Sequence, residues 1–266
     1  MRPMIVVCFA SLLIVPSAFA QSFTTAPCSS NADGSSHHSW LGGSGERVCE
    51  SRRTTLPAPG GPLSVTGKNG GIEVVGEDRN DVALEAQVVA QASSREDAER
   101  LLHEVSVETA GAIHADGPKT GNWSVNFKLR VPRHVAAELH TENGGISLAN
   151  LDGTVRAETV NGGISLTGLG GDVHATTTNG GLDISLAGDS WHGAGLVAKS
   201  TNGGVHVSMP TNYSAHLIAG TVNGGTDVRL PMTASVTNSR RHIDGQIGHG
   251  GPLVQVETIN GGVAIE

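Results

Sequence analysis

The stretch Thr159-Val160-Asn161-Gly162-Gly163-Ile164-Ser165-Leu166 decides the fold, because its central Asn-Gly-Gly occurs seven times, at Asn69, Asn143, Asn161, Asn179, Asn202, Asn223 and Asn260. In the central repeats the residues six, four and two before Asn are small or apolar: Val155, Ala157 and Thr159; Val173, Ala175 and Thr177; Leu196, Ala198 and Ser200; Leu217, Ala219 and Thr221. The third and fifth residues after it are apolar again, as in Ile146 and Leu148, Ile164 and Leu166, Leu182 and Ile184, and Val205 and Val207. Both patterns have a period of two, so each repeat reads as two short strands with one buried face, joined by a tight turn.

From Asn143 the spacings are 18, 18, 23, 21 and 37 residues. Short β coils suit the smaller intervals, and the last is long enough for two coils. Met232, Ala234 and Val236 before Asn238 read as a degenerate coil whose glycines have become Ser239 and Arg240. A single coil cannot close a core, whereas coils stacked at about 4.8 Å pair their backbones in parallel and share one. The expected fold is mostly all-β, a β-solenoid of stacked short parallel strands with Asn-Gly-Gly corners and one short helix in its N-terminal part. Glycine reaches positive φ without penalty and Asn tolerates it, which suits both to corners. Asn side chains pointing inward would bond from coil to coil, making the seven Asn a structural ladder, with a ligand-binding row as the alternative.

Residues 1–20 have the parts of a secretory signal peptide: Arg2, an apolar run from Ile5 to Val15, and Ala18-Phe19-Ala20 as a cleavage site. Cleavage after Ala20 directs the mature chain to the periplasm or the medium, and no second run is long enough to span a bilayer. Cys28 and Cys49 then sit in an oxidising compartment, and a disulfide between them is the simplest pairing. Two free thiols, or a metal site shared with His37 and His38, are the alternatives. Residues 21–50 read as an irregular leader with Trp40 as its large anchor, closed by that disulfide, and 51–266 as the solenoid domain with regular coils over 135–266. The net charge of −8 and the absence of a basic stripe argue against nucleic acid as a partner. Aromatics are only 3%, which leaves few of the flat faces that sugars usually stack on.

Leu63 and Val65 before Asn69, with Ile72 and Val74 after it, form the first coil, and Val82, Leu84, Ala86, Val88 and Ala90 a following strand. Ala98, Leu101, Leu102 and Val105 then share a helical face over about residues 94–105, with Ser93 and Glu96 as a capping box and Glu96 placed to pair with Arg100. Alternation resumes through Trp123, Val125, Phe127, Leu129 and Val131 before Pro132. In this order of helix, strand, Val131-Pro132-Arg133 and repeated Thr-x-Asn-Gly-Gly-Ile-x-Leu, the chain resembles the bacterial putative-adhesin domain of unknown function over residues 56–266. That resemblance implies a β-solenoid and adhesin-like binding, and carries no catalytic residues with it.

The position four after Asn holds Asp183, His206 and Asp227 in consecutive repeats. Stacked, a carboxylate, an imidazole and a carboxylate would make a metal site or an acid and base, and otherwise a solvated charge row. The extra residues near Asp189 suggest a bulge carrying Trp191 and His192, with Tyr213 close by, as a binding anchor; the other reading folds Trp191 over the solenoid side. His-Glu-x-x-His and Gly-x-Ser-x-Gly are both missing, so no enzyme motif and no cofactor is expected. The reading is a non-enzymatic envelope protein whose partner is a polysaccharide or protein. Its rivals are a scaffold that self-associates through an open C-terminal coil ending at Glu266, and a glycan-active enzyme using the Asp183, His206, Asp227 row.

Overall fold

The computed structural model describes residues 22–28, 45–229, 237–238 and 241–266. The signal segment, His37, His38, Trp40 and most of the stretch 230–240 lie outside the described residues. Strands β1 (Thr24–Pro27) and β2 (Glu46–Pro57) precede the first coil, which is β3 (Leu63–Asn69) and β4 (Ile72–Glu77). Next come β5 (Asp81–Ala92), helix α1 (Arg95–Glu104), β6 (Ser106–Glu108), β7 (Ile113–Asp116) and β8 (Asn122–Pro132). Four coils follow: β9 (Ala137–Asn143) with β10 (Ile146–Ala149), β11 (Asp152–Asn161) with β12 (Ile164–Thr167), β13 (Gly170–Asn179) with β14 (Leu182–Ser185), and β15 (Gly195–Asn202) with β16 (Val205–Ser208). The chain ends with β17 (Ala215–Asn223), β18 (Thr226–Val228), β19 (Thr237–Asn238), β20 (His242–Ile247), β21 (Leu253–Asn260) and β22 (Val263–Ile265).

Each Asn-Gly-Gly carries the chain from one 11-stranded sheet to the other. Coils stack in parallel and in register, so that Ile146 lies beside Ile164 and Val155 beside Val173. The two sheets enclose one core, in which Val155, Ala157, Ile164 and Leu166 are at most 2% exposed. Burial of each larger aliphatic stabilises the stack by about 1.5–3 kcal/mol. This is a β-solenoid flattened into two layers, with one helix among the described residues.

The corner works differently from the expectation that positive φ governs it. Of the first glycines, only Gly70 (φ 121°) and Gly203 (φ 159°, nearly extended) have positive φ. Close approach is the constraint instead. A Cβ on Gly144, Gly162, Gly180, Gly203, Gly261 or Gly224 would collide with the carbonyl oxygen of the first glycine in the neighbouring coil. The left-handed residue sits at the opposite corner, as Asn150 (φ 57°) and, one coil on, Gly168 (φ 58°).

Asn side chains point outward, not inward. Their amides run as one ladder, each Nδ2 donating to the preceding Oδ1 at 2.8–3.0 Å from Asn223 through Asn260, Asn202, Asn179, Asn161 and Asn143 to Asn69. The inward position belongs to the residue two before Asn. The hydroxyls of Thr141, Thr159, Thr177, Ser200, Thr258 and Thr221 are buried and donate to the first-glycine carbonyl of the neighbouring coil at 2.7–3.0 Å. The sheet ladder uses the carbonyls of Asn and of the second glycine, as in Gly144 N to Asn161 O and Ile146 N to Gly163 O. The first-glycine carbonyl would otherwise be orphaned in the core, and the hydroxyl satisfies it.

Spatial order departs from chain order at the far end. β21 pairs with both β15 and β17, and β22 lies between β16 and β18. The C-terminal coil is therefore interior, not the open rung expected from its place in the chain, and it gives no end for self-association. The terminal rung is β17 and β18. β20 and β19 extend its sheet in antiparallel sense, so Thr237 and Asn238 belong to this hairpin and not to a degenerate parallel coil. At the other end β8, β5, β2 and β1 extend one sheet beyond β4, and β7 and β6 extend the other beyond β3. Residues 24–27 and 46–50, expected to be irregular, are thus strands, ordered by the pairing of β1 with β2 and of β2 with β5 and by the Cys28–Cys49 disulfide rather than by any alternation of their own.

Helix α1 starts one residue later than the Ser93 box implied. Ser94 is the N-cap, accepting from Asp97 N at 3.1 Å, and the side-chain pairs are Arg95 with Glu99 and Arg100 with Asp97. Its buried Ala98 and Leu102 face β5 and β2, and Arg52 from β2 donates to the Val105 and Leu102 carbonyls at its C-terminus.

Buried and exposed halves of the corner should separate on mutation. Thr177→Val orphans a buried carbonyl and is expected to cost about 1–3 kcal/mol, whereas Asn179→Ala, whose partners water can replace, should cost under about 1 kcal/mol. Urea unfolding of both variants tests this, and an equal or reversed order would refute the assignment.

Candidate functional site

Buried side chains fill the interior, and four places on the outer faces bring polar or exposed apolar groups together. The first is the expected acid and base row. Across the outer face of one sheet the column reads Ser165, Asp183, His206, Ala264, Asp227. The inserted C-terminal coil puts Ala264 between His206 and Asp227, so the three-residue row does not form. His206 instead stands between Asp183, at 3.6 Å, and Glu266, at 3.2 Å, while Asp227 pairs with Arg229 at 3.0 Å. All these side chains are at least 42% exposed. No cluster of three or more His, Cys, Asp or Glu suited to a metal occurs among the described residues.

The second is the bulge. Trp191 is 4% exposed and its Nε1 donates to Gly171 O at 3.0 Å, and Tyr213 is 1% exposed. Burial, with the charge of Asp189, pushes the Tyr213 phenol up to about 12. Neither ring is available as an anchor. In an aromatic-poor chain both are used to cover the side of the coil stack, where residues 186–194 and 209–214 cross between coils, and only His192 of the three is exposed.

A groove on the outer face of the N-terminal strands is the third place. Its central row alternates in charge across four strands, Arg53, Glu85, Lys128 and Glu73, with Arg130 bonded to Glu77 at 2.9 Å alongside. The local sequence around Lys128 and Arg130 does not show these pairs, because Glu73, Glu77 and Glu85 come from other strands. Burial pushes the Glu85 carboxyl up, but hydrogen bonds from Arg53, Ser51 and Gln87 outweigh it and bring it down to about 2. The groove is a set of matched pairs, with no net charge to offer a ligand.

The fourth is the corner ridge. In spatial order the column next to the Asn ladder holds Lys68, Glu142, Val160, Thr178, Thr201, Ile259 and Val222. Val160, Ile259 and Val222, at 37%, 45% and 57% exposure, are the exposed large hydrophobics among the described residues, and all three fall in this one column. Sequence reading missed it because Ile259 and Val222 are 37 residues apart and become neighbours only through the inserted coil.

These features define a two-layered β-solenoid with corner ladders and polar outer faces. The chain belongs to the Toastrack DUF4097 family, which matches residues 128–266. Solved structures of similar architecture include a putative cell adhesion protein from Clostridium sporogenes, 11% identical, covering 81% of this chain and 98% of its own, with a TM-score of 0.42. A putative adhesin from Bacteroides fragilis is 10% identical over 81% of this chain and 97% of its own, with a TM-score of 0.39. A putative lipid binding protein from Parabacteroides distasonis is 9% identical over 82% and 96%, with a TM-score of 0.30. No curated protein matches the chain.

Two measurements check these assignments. Trp191→Ala should destabilise by about 3–5 kcal/mol, as expected of a buried ring rather than an exposed anchor. Glu85 titrates near 2 when folded, against 4.5 ordinarily, so its contribution is fully present above pH 4.5 and is lost as pH falls towards 2. Urea midpoints from pH 6 to 2.5 should therefore show Glu85→Gln less stable than the parent at pH 6, with the gap closing below pH 4.5; a constant gap would contradict the ion-pair assignment.

Proposed function

We propose that this chain is a non-enzymatic, adhesin-like envelope protein, exported by its N-terminal segment and cleaved after Ala20, that binds a macromolecule on the outside of its solenoid. The observation that carries this reading is the division between inside and outside. Apolar side chains and hydroxyls bonded to the backbone fill the interior, and the ionisable groups stand on two outer faces, each 11 strands wide. A face of that width spans about 48 Å at 4.8 Å per strand, which suits an extended partner better than a small substrate. The Cys28–Cys49 disulfide supports an oxidising destination.

Co-sedimentation of purified residues 21–266 with peptidoglycan sacculi, outer-membrane vesicles and whole cells tests the reading. Pelleting with at least one target and not in its absence is expected. A chain that stays in the supernatant with every target would overturn it.

A further inference from the structure

We propose that the corner ridge is the binding surface, and that its ligand is an extended strand of a neutral β-linked polysaccharide lying along the coils; this rests on the outer-face binding reading above and gives it a site and a ligand class. Two parallel columns make the ridge. Val160, Thr178, Thr201, Ile259 and Val222 place an uncharged β-branched side chain on each of five successive rungs. Beside them run Asn161, Asn179, Asn202, Asn260 and Asn223, whose amides each donate one N–H to the ladder. A primary amide has a second N–H and a second lone pair on oxygen beyond those the ladder uses, and these five residues are exposed. Gly-Gly follows every Asn, so no side chain walls off that flank.

The chemistry of this strip selects its partner. Val160, Ile259 and Val222 are the exposed large hydrophobics among the described residues, and their confinement to one column, rather than a scatter over the faces, sets this strip apart. The strip is about 19 Å long, four steps of 4.8 Å, and about 10 Å wide. That footprint of roughly 200 Å² is far below the ~800 Å² per partner of a stable protein complex, so a second copy or a folded protein is a poor fit and a thin linear ligand a good one. Charged residues of the column, Lys68 and Glu142, lie at one end and outside the five-rung run, and the chain carries −8 overall, so an anionic polymer is disfavoured. An extended β-linked glycan offers an apolar C–H face and a polar hydroxyl edge side by side, and it advances by close to one rung per sugar. Its C–H face would lie on the methyl column and its hydroxyls would bond the free amide N–H and Oδ1 positions.

Each sugar gains only a methyl contact and a solvent-exposed hydrogen bond, so affinity must come from many rungs engaged at once. Long strands should bind and short ones should not. The test is sedimentation of purified residues 21–266 with insoluble chitin and cellulose, competed by chitohexaose or cellohexaose. Retention on one of these solids is expected, with weak competition by the hexamer. The Val160→Asp/Thr178→Asp variant should lose retention roughly fivefold or more, equivalent to about 1 kcal/mol, while Thr167→Asp, exposed on the other sheet, retains it. Val222→Asp, at the terminal rung, repeats the test where the double variant fails to fold. Ridge variants that bind as the parent does would overturn the site. A parent chain that ignores both solids would overturn the ligand class, and pelleting with sacculi or vesicles in the preceding experiment would leave the broader binding reading standing.

Discussion

The hydrogen bond on which the rest of this structure depends runs from a buried Thr or Ser hydroxyl to a glycine carbonyl in the next coil. Coils approach so closely at the corner that a Cβ there would meet the neighbour's carbonyl oxygen, hence glycine at positions such as Gly162 and Gly180. That approach leaves one carbonyl per coil facing the core with no N–H to meet it. Thr159 and Thr177 supply the donor from inside. With the carbonyl satisfied, Asn161 and Asn179 turn outward and tie the rim of the stack together in the open. Thr, Asn and the first Gly of Thr-x-Asn-Gly-Gly thus each have their own cause, while a Cβ on the second Gly would meet its neighbour less closely, at 3.2 Å on Gly163 against 2.1 Å on Gly162.

A stack of parallel coils has two ends, and unpaired strand edges there invite association. At the N-terminal end β8 and β7 pair in parallel with the first coil and antiparallel strands extend both sheets beyond them, α1 lies across β5 and β2, and Arg52 closes off the helix C-terminus. At the far end β20 covers β17, with His216 bonded to Asp244 at 2.7 Å across the pair. The C-terminal coil occupies a slot between two coils that precede it in the chain. One consequence is electrostatic, since Lys199 meets Glu257 at 3.0 Å only because β21 lies beside β15. Another is the exposed aliphatic pair, Ile259 beside Val222.

Charge on the outside is largely matched rung by rung, as in Arg53 with Glu85 and Arg130 with Glu77. Pairs this exposed add little to stability. What distinguishes one outer position from another is therefore apolar exposure and repetition. The corner ridge has both, and the aromatic residues that a binding site would ordinarily display are spent on the sides of the stack, as Trp191 and Tyr213 show.

Sequence alone determined the solenoid, the place of its corners, helix α1 and the apolar residues that face inward, because a period of two and a fixed motif act within a few residues of chain; the outward turn of the corner Asn was settled by the stacked coils. It also pointed to the right columns on the surface, as in Asp183 beside His206. What it could not determine was which coil neighbours which. All seven corners carry the same Asn-Gly-Gly, so any coil is chemically able to stack on any other, and chain order was the only guide. Tertiary structure decided that order by placing 253–265 between two earlier coils, which put Ala264 between His206 and Asp227 and brought Ile259 beside Val222. Burial of Trp191 was likewise a tertiary outcome, with its Nε1 bonded to Gly171 O of the preceding coil. Local pattern sets the face a residue occupies; the contacts across that face belong to the folded stack.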